Sequence, residues 1–442
     1  MLRMILCVDK NNGIAQDGII PWKNKLELKH FKSITKDTIL VMGHNTFKTI
    51  NHPLANRKNI VLSKNKKLKI SGVKVVNNYQ TILKIAKEKD VSIIGGKQIY
   101  ELFNDYCDEI IITKLNNSFN CNFEYYPNLK FFVLKKTKKY DDFSIYYYCS
   151  IAKKILNGKT VRNNILKKLI HKKDEFISKF NVIPKLAIIQ IGNDYSSNIY
   201  IKNKIKLVEE IKVDVEYIKL NEEVSEENVL NIIDKLNNDE NINGILIQLP
   251  LPNHIRQSKI ANAISPIKDV DCFHPYNLGL LFRGDFLTNL PCTPAGIMEI
   301  FKNYKIKLER QNVTIIGRSN IVTKPLSLIL LKQNATITMC HSFTKNIQQK
   351  MKTADIIISA AGKPNLIKYN SIKKDSIIID VSINRQDNKI VGDVEWSDKL
   401  LNKVKYITPV PGGVGLVTIV MLLNNLLLLT ERQIKNRLFG SK

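Results

Sequence analysis

The stretch VTIIGRSNIVTKPLSLILL, residues 313–331, contains a structural unit that recurs along most of this chain. Its β-branched run ends at Gly317, a polar turn follows, and an apolar pattern of helical length continues to Leu331. Short β-branched runs bounded by turn residues are typical of strands, and helices that alternate with such strands favour parallel sheets. The stretch therefore predicts an α/β fold.

The same alternation extends in both directions from this stretch. Strands are predicted at 4–8, 38–42, 59–63, 91–94, 109–114, 131–136, 143–149, 185–191, 214–220, 244–248, 313–316, 336–339, 356–359 and 377–381. Near residue 150 a strand-like segment leads directly into a helical stretch that continues to about residue 180. Because 442 residues are too many for one ordinary core, we expect two or three domains.

The cysteines and the apolar segments indicate where the protein resides. Seven scattered cysteines without a CxxC pair are typical of reduced thiols in a cytoplasmic protein, so neither disulfides nor a metal site are expected. The N-terminal apolar run is too short for a signal peptide. The most apolar stretch, residues 419–430, is interrupted by two asparagines and falls short of a membrane span, so we expect a buried helix.

The net charge of +28 has two interpretations. One is a nucleic-acid-binding surface, and the other is a lysine-rich composition spread over the whole chain. The lysines form no single block and no aromatic-interleaved basic motif, so we expect no specific nucleic-acid partner. The charge can still attract anionic substrates, because it acts as a field.

The segment IPWKNKLELKHFKSIT, residues 20–35, contains the lone acid Glu27 among lysines. At helical spacing, Glu27 shares one stripe with Phe31 and Ile34, whereas the lysines fall on the opposite face. A carboxylate on an apolar face should have a raised pKa, and such groups are often functional. The alternative is an ordinary surface glutamate.

A second helical segment, YSSNIYIKNKIKLVEE at 195–210, places Ser197, Tyr200, Lys204 and Leu207 on one stripe. A lysine beside a tyrosine on a buried face can lose solvation, which lowers its pKa toward general acid–base work. The alternative is a solvated lysine, which this spacing alone favours.

Five fragments of the first 149 residues occur in a recognisable order. They are IPW (20–22), VMGHNTF (41–47), PLANRKNIVLS (53–63), IIGGKQIYELF (93–103) and IIITKL (110–115). Together they resemble dihydrofolate reductase over residues 1–149. The resemblance implies a mixed sheet with flanking helices and the NADPH-dependent reduction of dihydrofolate to tetrahydrofolate.

This first resemblance implies roles for individual residues. Glu27 would bind the pterin and assist protonation of N5, and Thr113 would hydrogen-bond that acid. The residues expected to line the folate site are Trp22, Phe31, Ile50, Arg57, Ile94 and Tyr100, of which Arg57 would pair with a substrate carboxylate. Those expected at the NADPH site are Gly43, Thr46, Ser63, Lys64, Gly95 and Gly96. Departures from the family pattern are Ala15, His44 and Asn122. They concern the closure of loops over the active site and the binding of NADPH.

Another ordered set of motifs follows in the rest of the chain. It comprises GILIQLPLP (244–252), KDVDCFHPYNLG (268–279), PCTPAGI (291–297), IIGRSNIVTKP (315–325), HSFTKN (341–346), IIDVSIN (378–384), GDV (392–394) and ITPVPGGVGLVT (407–418). The set resembles the bifunctional methylenetetrahydrofolate dehydrogenase/cyclohydrolase family over residues 152–430. This implies a folate-binding catalytic domain at 150–290, completed by a helix at about 414–432, and a Rossmann-type NADP-binding domain at 291–413.

This second resemblance also implies site residues. The catalytic set would be Lys204, Tyr200, Gln248 and Asp271, and the folate site would add Ser197, Pro411, Gly412 and Gly413. The NADP site would contain Gly317, Arg318, Ser319, Ser342 and Ile383, where Arg318 favours NADP over NAD. Departures are Cys272, Thr323 and Leu416, of which Thr323 could push the helix start away from the pyrophosphate.

Together the two resemblances predict a multifunctional folate enzyme. It would reduce dihydrofolate with NADPH, oxidise 5,10-methylenetetrahydrofolate with NADP⁺, and hydrolyse the methenyl product to 10-formyltetrahydrofolate. The expected assembly is a homodimer through the C-terminal unit, without a membrane partner. The alternative is that only one half is active and the other is a structural or nucleic-acid-binding module.

Overall fold

A computed structural model describes residues 1–285, 289–387 and 389–439, apart from the side chains at positions 195–197, 199, 200, 203, 438 and 439. The chain forms two compact units, Met1–Lys153 and Lys154–Lys442, with separate hydrophobic cores.

The first unit contains an eight-stranded mixed sheet in the order β5-β4-β3-β6-β1-β7-β10-β9. The strands of this unit are β1 (Leu2–Val8), β2 (Gly13–Ala15), β3 (Ile39–Gly43), β4 (Lys58–Leu62), β5 (Lys74–Val76), β6 (Val91–Ile93), β7 (Glu109–Leu115), β8 (Phe123–Glu124), β9 (Phe132–Lys139) and β10 (Phe143–Ser150). Its helices are α1 (Lys25–Ile34), α2 (His44–Ile50), α3 (Tyr79–Glu88) and α4 (Lys97–Phe103).

The pairing within this sheet decides where its loops meet. The six neighbouring strands β5-β4-β3-β6-β1-β7 pair in parallel. Strand β10 pairs antiparallel with both β7 and β9. Most residues of the parallel strands are buried, which is typical of parallel sheets. Strand β9 lies at the edge and carries four lysines, which oppose edge-to-edge aggregation.

The second unit contains two parallel sheets, β12-β11-β13 and β15-β14-β16-β17-β20, and an antiparallel hairpin of β18 and β19. Its strands are β11 (Lys185–Ile191), β12 (Asp214–Leu220), β13 (Gly244–Ile247), β14 (Asn312–Ile316), β15 (Thr336–Cys340), β16 (Ile356–Ser359), β17 (Ile377–Asp380), β18 (Asn384–Gln386), β19 (Lys389–Val391) and β20 (Tyr406–Ile407). Its helices are α5 (Gly158–Phe180), α6 (Tyr195–Glu210), α7 (Glu226–Asn238), α8 (Gln257–Ala263), α9 (Pro275–Phe282), α10 (Cys292–Asn303), α11 (Thr323–Lys332), α12 (Ile347–Thr353), α13 (Asp398–Lys403) and α14 (Val414–Phe439).

Helix α14 corrects one expectation from the sequence. By length and composition it is long enough to cross a membrane, contrary to the prediction that this stretch falls short of a span. Much of the helix is buried in the unit, against α5 and α10. The amide of Asn425 donates hydrogen bonds to the carbonyls of Val270 and Leu290 at 2.8 and 2.7 Å, so this polar side chain is satisfied inside the core.

Every predicted strand is confirmed, with boundaries that differ by no more than three residues. The sequence did not predict the short strands β2, β5, β8, β18, β19 and β20. Strands of two or three residues carry too little periodicity to separate them from loops. Their positions depend on the partner strands with which they pair.

Candidate active sites

Glu27 lies in the first turn of helix α1. The side chain of Asn24 caps this helix, and its Oδ1 accepts hydrogen bonds from the amides of Leu26 and Glu27 at 3.0 and 3.1 Å. The helix lies wholly within the described residues, and none of its side chains is fully buried. Glu27, Phe31 and Ile34 are half-buried together, so the predicted stripe borders an open surface that can accept a ligand.

Burial raises the pKa of Glu27 to about 7. The charge of Glu27 also contributes to the raised pKa of Cys7, for which burial is the main cause, and the two groups are therefore close. Thr113 is buried and pairs with Cys7 across β1 and β7. Within the described residues, no hydrogen bond joins Thr113 to Glu27, so the interaction expected from the family pattern is not formed here.

The predicted folate-site residues belong to several elements of the first unit. Trp22 is buried and packs on Phe119 with ring centroids 5.5 Å apart. Tyr100 is also buried, and its hydroxyl donates to the carbonyl of Ile5 at 2.9 Å. Ile50 and Ile94 pack against one buried cluster that contains Phe47.

Arg57 is held close to the end of α1. Its Nη1 donates to Thr35 Oγ1 at 2.8 Å, and its Nε donates to the carbonyl of Ala55 at 3.1 Å. Among the described residues, no carboxylate pairs with this half-buried guanidinium. The remaining donors are therefore available to an external carboxylate, which a guanidinium binds with two parallel hydrogen bonds.

The predicted NADPH residues of the first unit converge at the carboxyl ends of its parallel strands. The amide of Gly43 donates to the carbonyl of Gly95 at 2.8 Å. Gly95 has a φ of +122°, and a Cβ on it would lie 3.1 Å from Tyr100 Oη, whereas one on Gly96 would lie 3.1 Å from Thr46 Oγ1. Both positions favour glycine, and backbone can approach a dinucleotide closely there.

Other members of this set lie near the same edge. Leu62, the last residue of β4, pairs with Gly43. Ser63 and Lys64 follow Leu62 and therefore lie at the same edge of the sheet as Gly43. Helix α2 begins at His44, so Thr46 lies in its first turn. The terminal amides of a helix favour an anionic group.

Two loops beside this site are joined by Asn122. Its Nδ2 donates to Asp17 Oδ1 at 2.7 Å, and its Oδ1 accepts from the amide of Asp17 at 2.9 Å. Strands β2 and β8 pair antiparallel at the same place. An asparagine therefore connects these loops through both its donor and its acceptor.

Three of the predicted groups in the second unit meet in space. Lys204 Nζ donates to Gln248 Oε1 at 3.1 Å, and Gln248 Nε2 donates to the carbonyl of Leu249 at 2.7 Å, which fixes the orientation of the amide. Burial raises the pKa of Asp271, while the charge of Lys204 and the Cys292 thiol act in the opposite sense. The side chains of Tyr200 and Ser197 lie outside the described residues.

The turn that contains Pro411, Gly412 and Gly413 is pressed against the start of α5. The amide of Gly158 donates to the carbonyl of Gly412 at 2.9 Å. A Cβ on Gly158 would lie 2.0 Å from the carbonyl oxygen of Gly413, and one on Gly413 would lie 2.6 Å from that of Pro409. Gly158 was not predicted from the sequence; its only signal is a glycine immediately before a helical pattern.

The predicted NADP residues of the second unit follow strands β14, β15 and β17. Gly317 has a φ of +135°, and a Cβ on it would lie 2.8 Å from the carbonyl oxygen of Ala360. The Arg318 guanidinium lies over the Phe343 ring at 5.5 Å from its centroid, and Ser342 directly precedes that ring. Ile383 is half exposed after β17. A dinucleotide fits this edge, because phosphate-binding turns follow the strands of such sheets.

Thr323 is accommodated beneath the phosphate-binding turn. It is fully buried at the start of α11, and its hydroxyl donates to the carbonyl of Ser319 at 3.3 Å. The methyl group packs toward Gly317. Thr323 therefore packs against the turn that contains Ser319 and stabilises it.

Comparisons with known proteins divide the chain in the same order as its two sets of motifs. The dihydrofolate reductase family model matches residues 1–152, and the models for the catalytic and NAD(P)-binding domains of tetrahydrofolate dehydrogenase/cyclohydrolase match residues 156–271 and 291–434. The bifunctional protein FolD of Acetivibrio thermocellus is 46% identical over 285 residues, which cover 64% of this chain and 98% of that protein. The corresponding protein of Rickettsia bellii is 46% identical over 272 residues, which cover 61% and 96%.

Solved structures agree with these matches. The bifunctional FolD enzyme of Campylobacter jejuni has a TM-score of 0.61 and 42% identity, covering 64% of this chain and 99% of that chain. The Trypanosoma brucei enzyme, described as complexed with NADP cofactor and inhibitor, has a TM-score of 0.60 and 32% identity, covering 64% and 98%.

The matches and the geometry together define a folate enzyme with reductase, dehydrogenase and cyclohydrolase activities. The chain belongs to the bifunctional tetrahydrofolate dehydrogenase/cyclohydrolase family, and it has a dihydrofolate reductase domain at its N-terminal end.

Proposed function

We propose that both units are active in the full chain and that the residues described above carry three reactions. The observation that supports this most strongly is that each unit holds a group suited to proton transfer beside predicted folate residues. In the first unit this group is Glu27, and in the second it is Lys204 with Gln248 and Asp271. Each unit also has glycines that let backbone approach a dinucleotide.

In the first unit, Glu27 binds the pterin ring and helps to deliver the proton that N5 gains. NADPH, when bound, supplies the hydride. A half-buried carboxyl with a pKa of about 7 is partly protonated at neutral pH, so it can both accept from the pterin amino group and hold the proton. Arg57 holds a carboxylate of the folate tail, Phe31 lines the pocket of the pterin ring, and Trp22 holds a water near Glu27.

In the second unit, Lys204 is the central group. Gln248 accepts a hydrogen bond from its ammonium, and Asp271, whose pKa is raised by burial, lies close enough for the charge of Lys204 to oppose that rise. We assign Lys204 to proton transfer during hydrolysis of the methenyl bridge, and Asp271 to binding of the pterin ring. Positioning of the folate against the nicotinamide is the contribution of Pro411, Gly412 and Gly413 to the oxidation step.

A direct test uses the purified full chain in three separate assays. Dihydrofolate with NADPH, methylenetetrahydrofolate with NADP⁺, and methenyltetrahydrofolate without cofactor should each be turned over. Complete inactivity of one unit, in a preparation where the other is active, would instead support the interpretation that one half is a structural module.

We expect the reductase to lose activity as pH rises through about 7. Burial raises the pKa of Glu27 to about 7, and the protonated carboxyl, which can donate, is the form present below that pH. The profile of kcat/KM against pH should therefore be flat below this value and fall about tenfold per pH unit above it. An inflection at the ordinary glutamate pKa, near about 4.3, would contradict the role of burial.

Arg318 should decide the preference for NADP over NAD. It stacks on Phe343 beside Ser342, where the 2′-phosphate would bind. Because a hydrogen bond to a charged group contributes about 1.5–3 kcal/mol, Arg318→Gln should raise the KM for NADP⁺ in the dehydrogenase at least about tenfold. The KM for NAD⁺ should stay within about twofold, since NAD lacks that phosphate.

Arg310→Gln provides the matched control, because Arg310 is exposed in the same unit and pairs with Glu309. It should leave both constants unchanged. Equal increases in the two KM values after Arg318→Gln would argue against recognition of the 2′-phosphate.

We also propose a cytoplasmic homodimer that assembles through the second unit and has no membrane or specific nucleic-acid partner. The seven cysteines are scattered without a CxxC pair, which supports a reducing compartment. Light scattering of the full chain should give twice the mass of one chain, and a monomer would refute the assembly. Salt-sensitive retention of DNA at physiological ionic strength would refute the absence of a nucleic-acid partner.

A further inference from the structure

Two buried carboxylates, Asp380 and Asp393, lie next to the NAD(P)-binding edge of the second unit. Asp380 ends strand β17, and Asp393 follows strand β19; they are 3% and 0% exposed. Across the described ranges, no lysine or arginine forms an ion pair with either. Buried carboxylates without a cation must be stabilised by hydrogen-bond donors.

Asp393 accepts five hydrogen bonds from two segments, one at the end of β16 and after it, the other between β17 and the start of β18. Its Oδ2 accepts from the hydroxyls of Ser359 and Ser382, both at 2.6 Å, and from the amide of Ala361 at 3.0 Å. Its Oδ1 accepts from the amide of Lys363 at 2.8 Å and from Asn384 Nδ2 at 3.1 Å. These donors and Asp393 are called the Asp393 network below.

The network joins the loop after β16 to the loop after β17. Ser382 connects them a second time, because its hydroxyl accepts from the amide of Gly362 at 3.0 Å while it donates to Asp393. The loop after β16 also abuts Gly317, where a Cβ would lie 2.8 Å from the carbonyl oxygen of Ala360. Ile383 lies between two members of the network and is half exposed. The network therefore fixes the distance between Ile383 and the turn at Gly317.

Asp380 stabilises the segment that contains Asp393. Its carboxylate accepts from the amides of Ser382 and Val394 at 3.2 and 3.1 Å. A Cβ on Gly392 would lie 1.9 Å from Asp380 Oδ2, so this segment passes directly against the acid. Asp380 therefore contacts the chain on both sides of Asp393, at Gly392 and at Val394.

We propose that Asp393 is a positioning residue for the dehydrogenase reaction. It fixes the two loops that border the nicotinamide dinucleotide without contacting the folate, and so controls how the dinucleotide is held. The inference rests on the proposed NADP role of this sheet edge. It does not involve the Lys204 group, since cyclohydrolysis needs no dinucleotide.

The three activities of the full chain allow a sharp test with Asp393→Asn. This change keeps the side-chain shape but replaces one acceptor with a donor that faces other donors. The KM for NADP⁺ in the dehydrogenase should rise about tenfold. Cyclohydrolase activity measured without NADP⁺, and the KM for NADPH in the reductase, should stay within about twofold.

Asp375→Asn is the matched control, because Asp375 is exposed in the same unit and its positive φ of 61° suits asparagine. It should change none of the three activities. An unchanged KM for NADP⁺ in Asp393→Asn would overturn the proposal. A parallel loss of dehydrogenase and cyclohydrolase activity would also overturn it, because it would show a general structural role.

Ser382→Ala keeps the proposal testable if Asp393→Asn does not fold. It removes one donor to Asp393 and one acceptor for Gly362, so the KM for NADP⁺ should rise about threefold with cyclohydrolase activity intact. No change in that KM would then refute the proposal. Failure of the proposed function is distinct, since the unaltered chain itself would lack dehydrogenase activity.

Discussion

Glu27→Gln should lower the reductase rate about 10³-fold while NADPH binding persists, because general acid–base groups contribute about 10²–10⁴-fold. The amide keeps the shape of the side chain and the cap of Asn24, but it cannot hold the proton that the buried carboxyl holds at a pKa of about 7. Steady-state reduction of dihydrofolate and fluorescence titration with NADPH measure the two properties separately.

Two controls accompany this change. Glu88→Gln alters an exposed glutamate at the end of α3 in the same unit and should leave the rate unchanged. The cyclohydrolase activity of the second unit should also be unaffected, which shows that the chain has folded. A reductase rate within about tenfold of the unaltered chain would exclude Glu27 as the proton-transfer group.

Lys204→Met should lower cyclohydrolase activity about 10³-fold and leave the KM for NADP⁺ within about threefold. Methionine preserves most of the length and the apolar stem of lysine, but it cannot donate to Gln248 or exchange a proton. Hydrolysis of methenyltetrahydrofolate, followed by the loss of its absorbance, measures the first effect. Initial rates of methylenetetrahydrofolate oxidation at varied NADP⁺ measure the second.

Lys202→Met is the matched control, since Lys202 is exposed on the same helix. It should retain full activity in all three assays. If Lys202→Met and Lys204→Met lose cyclohydrolase activity equally, the effect reflects the charge of the helix surface rather than proton transfer at Lys204. Retention of reductase activity in both variants would confirm that the first unit is intact.

The position of Glu27 shows how far periodicity can predict a site. Spacing along one helix placed it on a stripe with Phe31 and Ile34, and that stripe is half-buried as expected. The same reasoning predicted a raised pKa for Glu27. Burial raises that pKa to about 7, so the prediction is confirmed. Spacing could not predict that Thr113 would make no hydrogen bond to Glu27, because Thr113 lies on a different strand whose distance from α1 depends on packing.

The limits are clearer in the second unit. Helical spacing left Lys204 open to interpretation as an ordinary solvated lysine, and only its hydrogen bond to Gln248, 44 residues away in the chain, gives it a fixed partner. The Asp393 network likewise joins residues 359–363, 382–384 and 393, which no periodic pattern relates. Thr323 is buried and donates to the carbonyl of Ser319, a contact that its place in the motif does not indicate.

The sequence by itself determined the order of strands and helices, the two families that its motifs resemble, and the face of α1 on which Glu27 lies. These properties depend on local periodicity and on motifs of contiguous residues, which a linear chain displays directly. Only the tertiary structure decided that Arg57 reaches Thr35, that Gly158 meets the turn at Gly413, and that Asp393 joins two loops. Those contacts bring together residues distant in the chain, and their geometry is set by how sheets and helices pack.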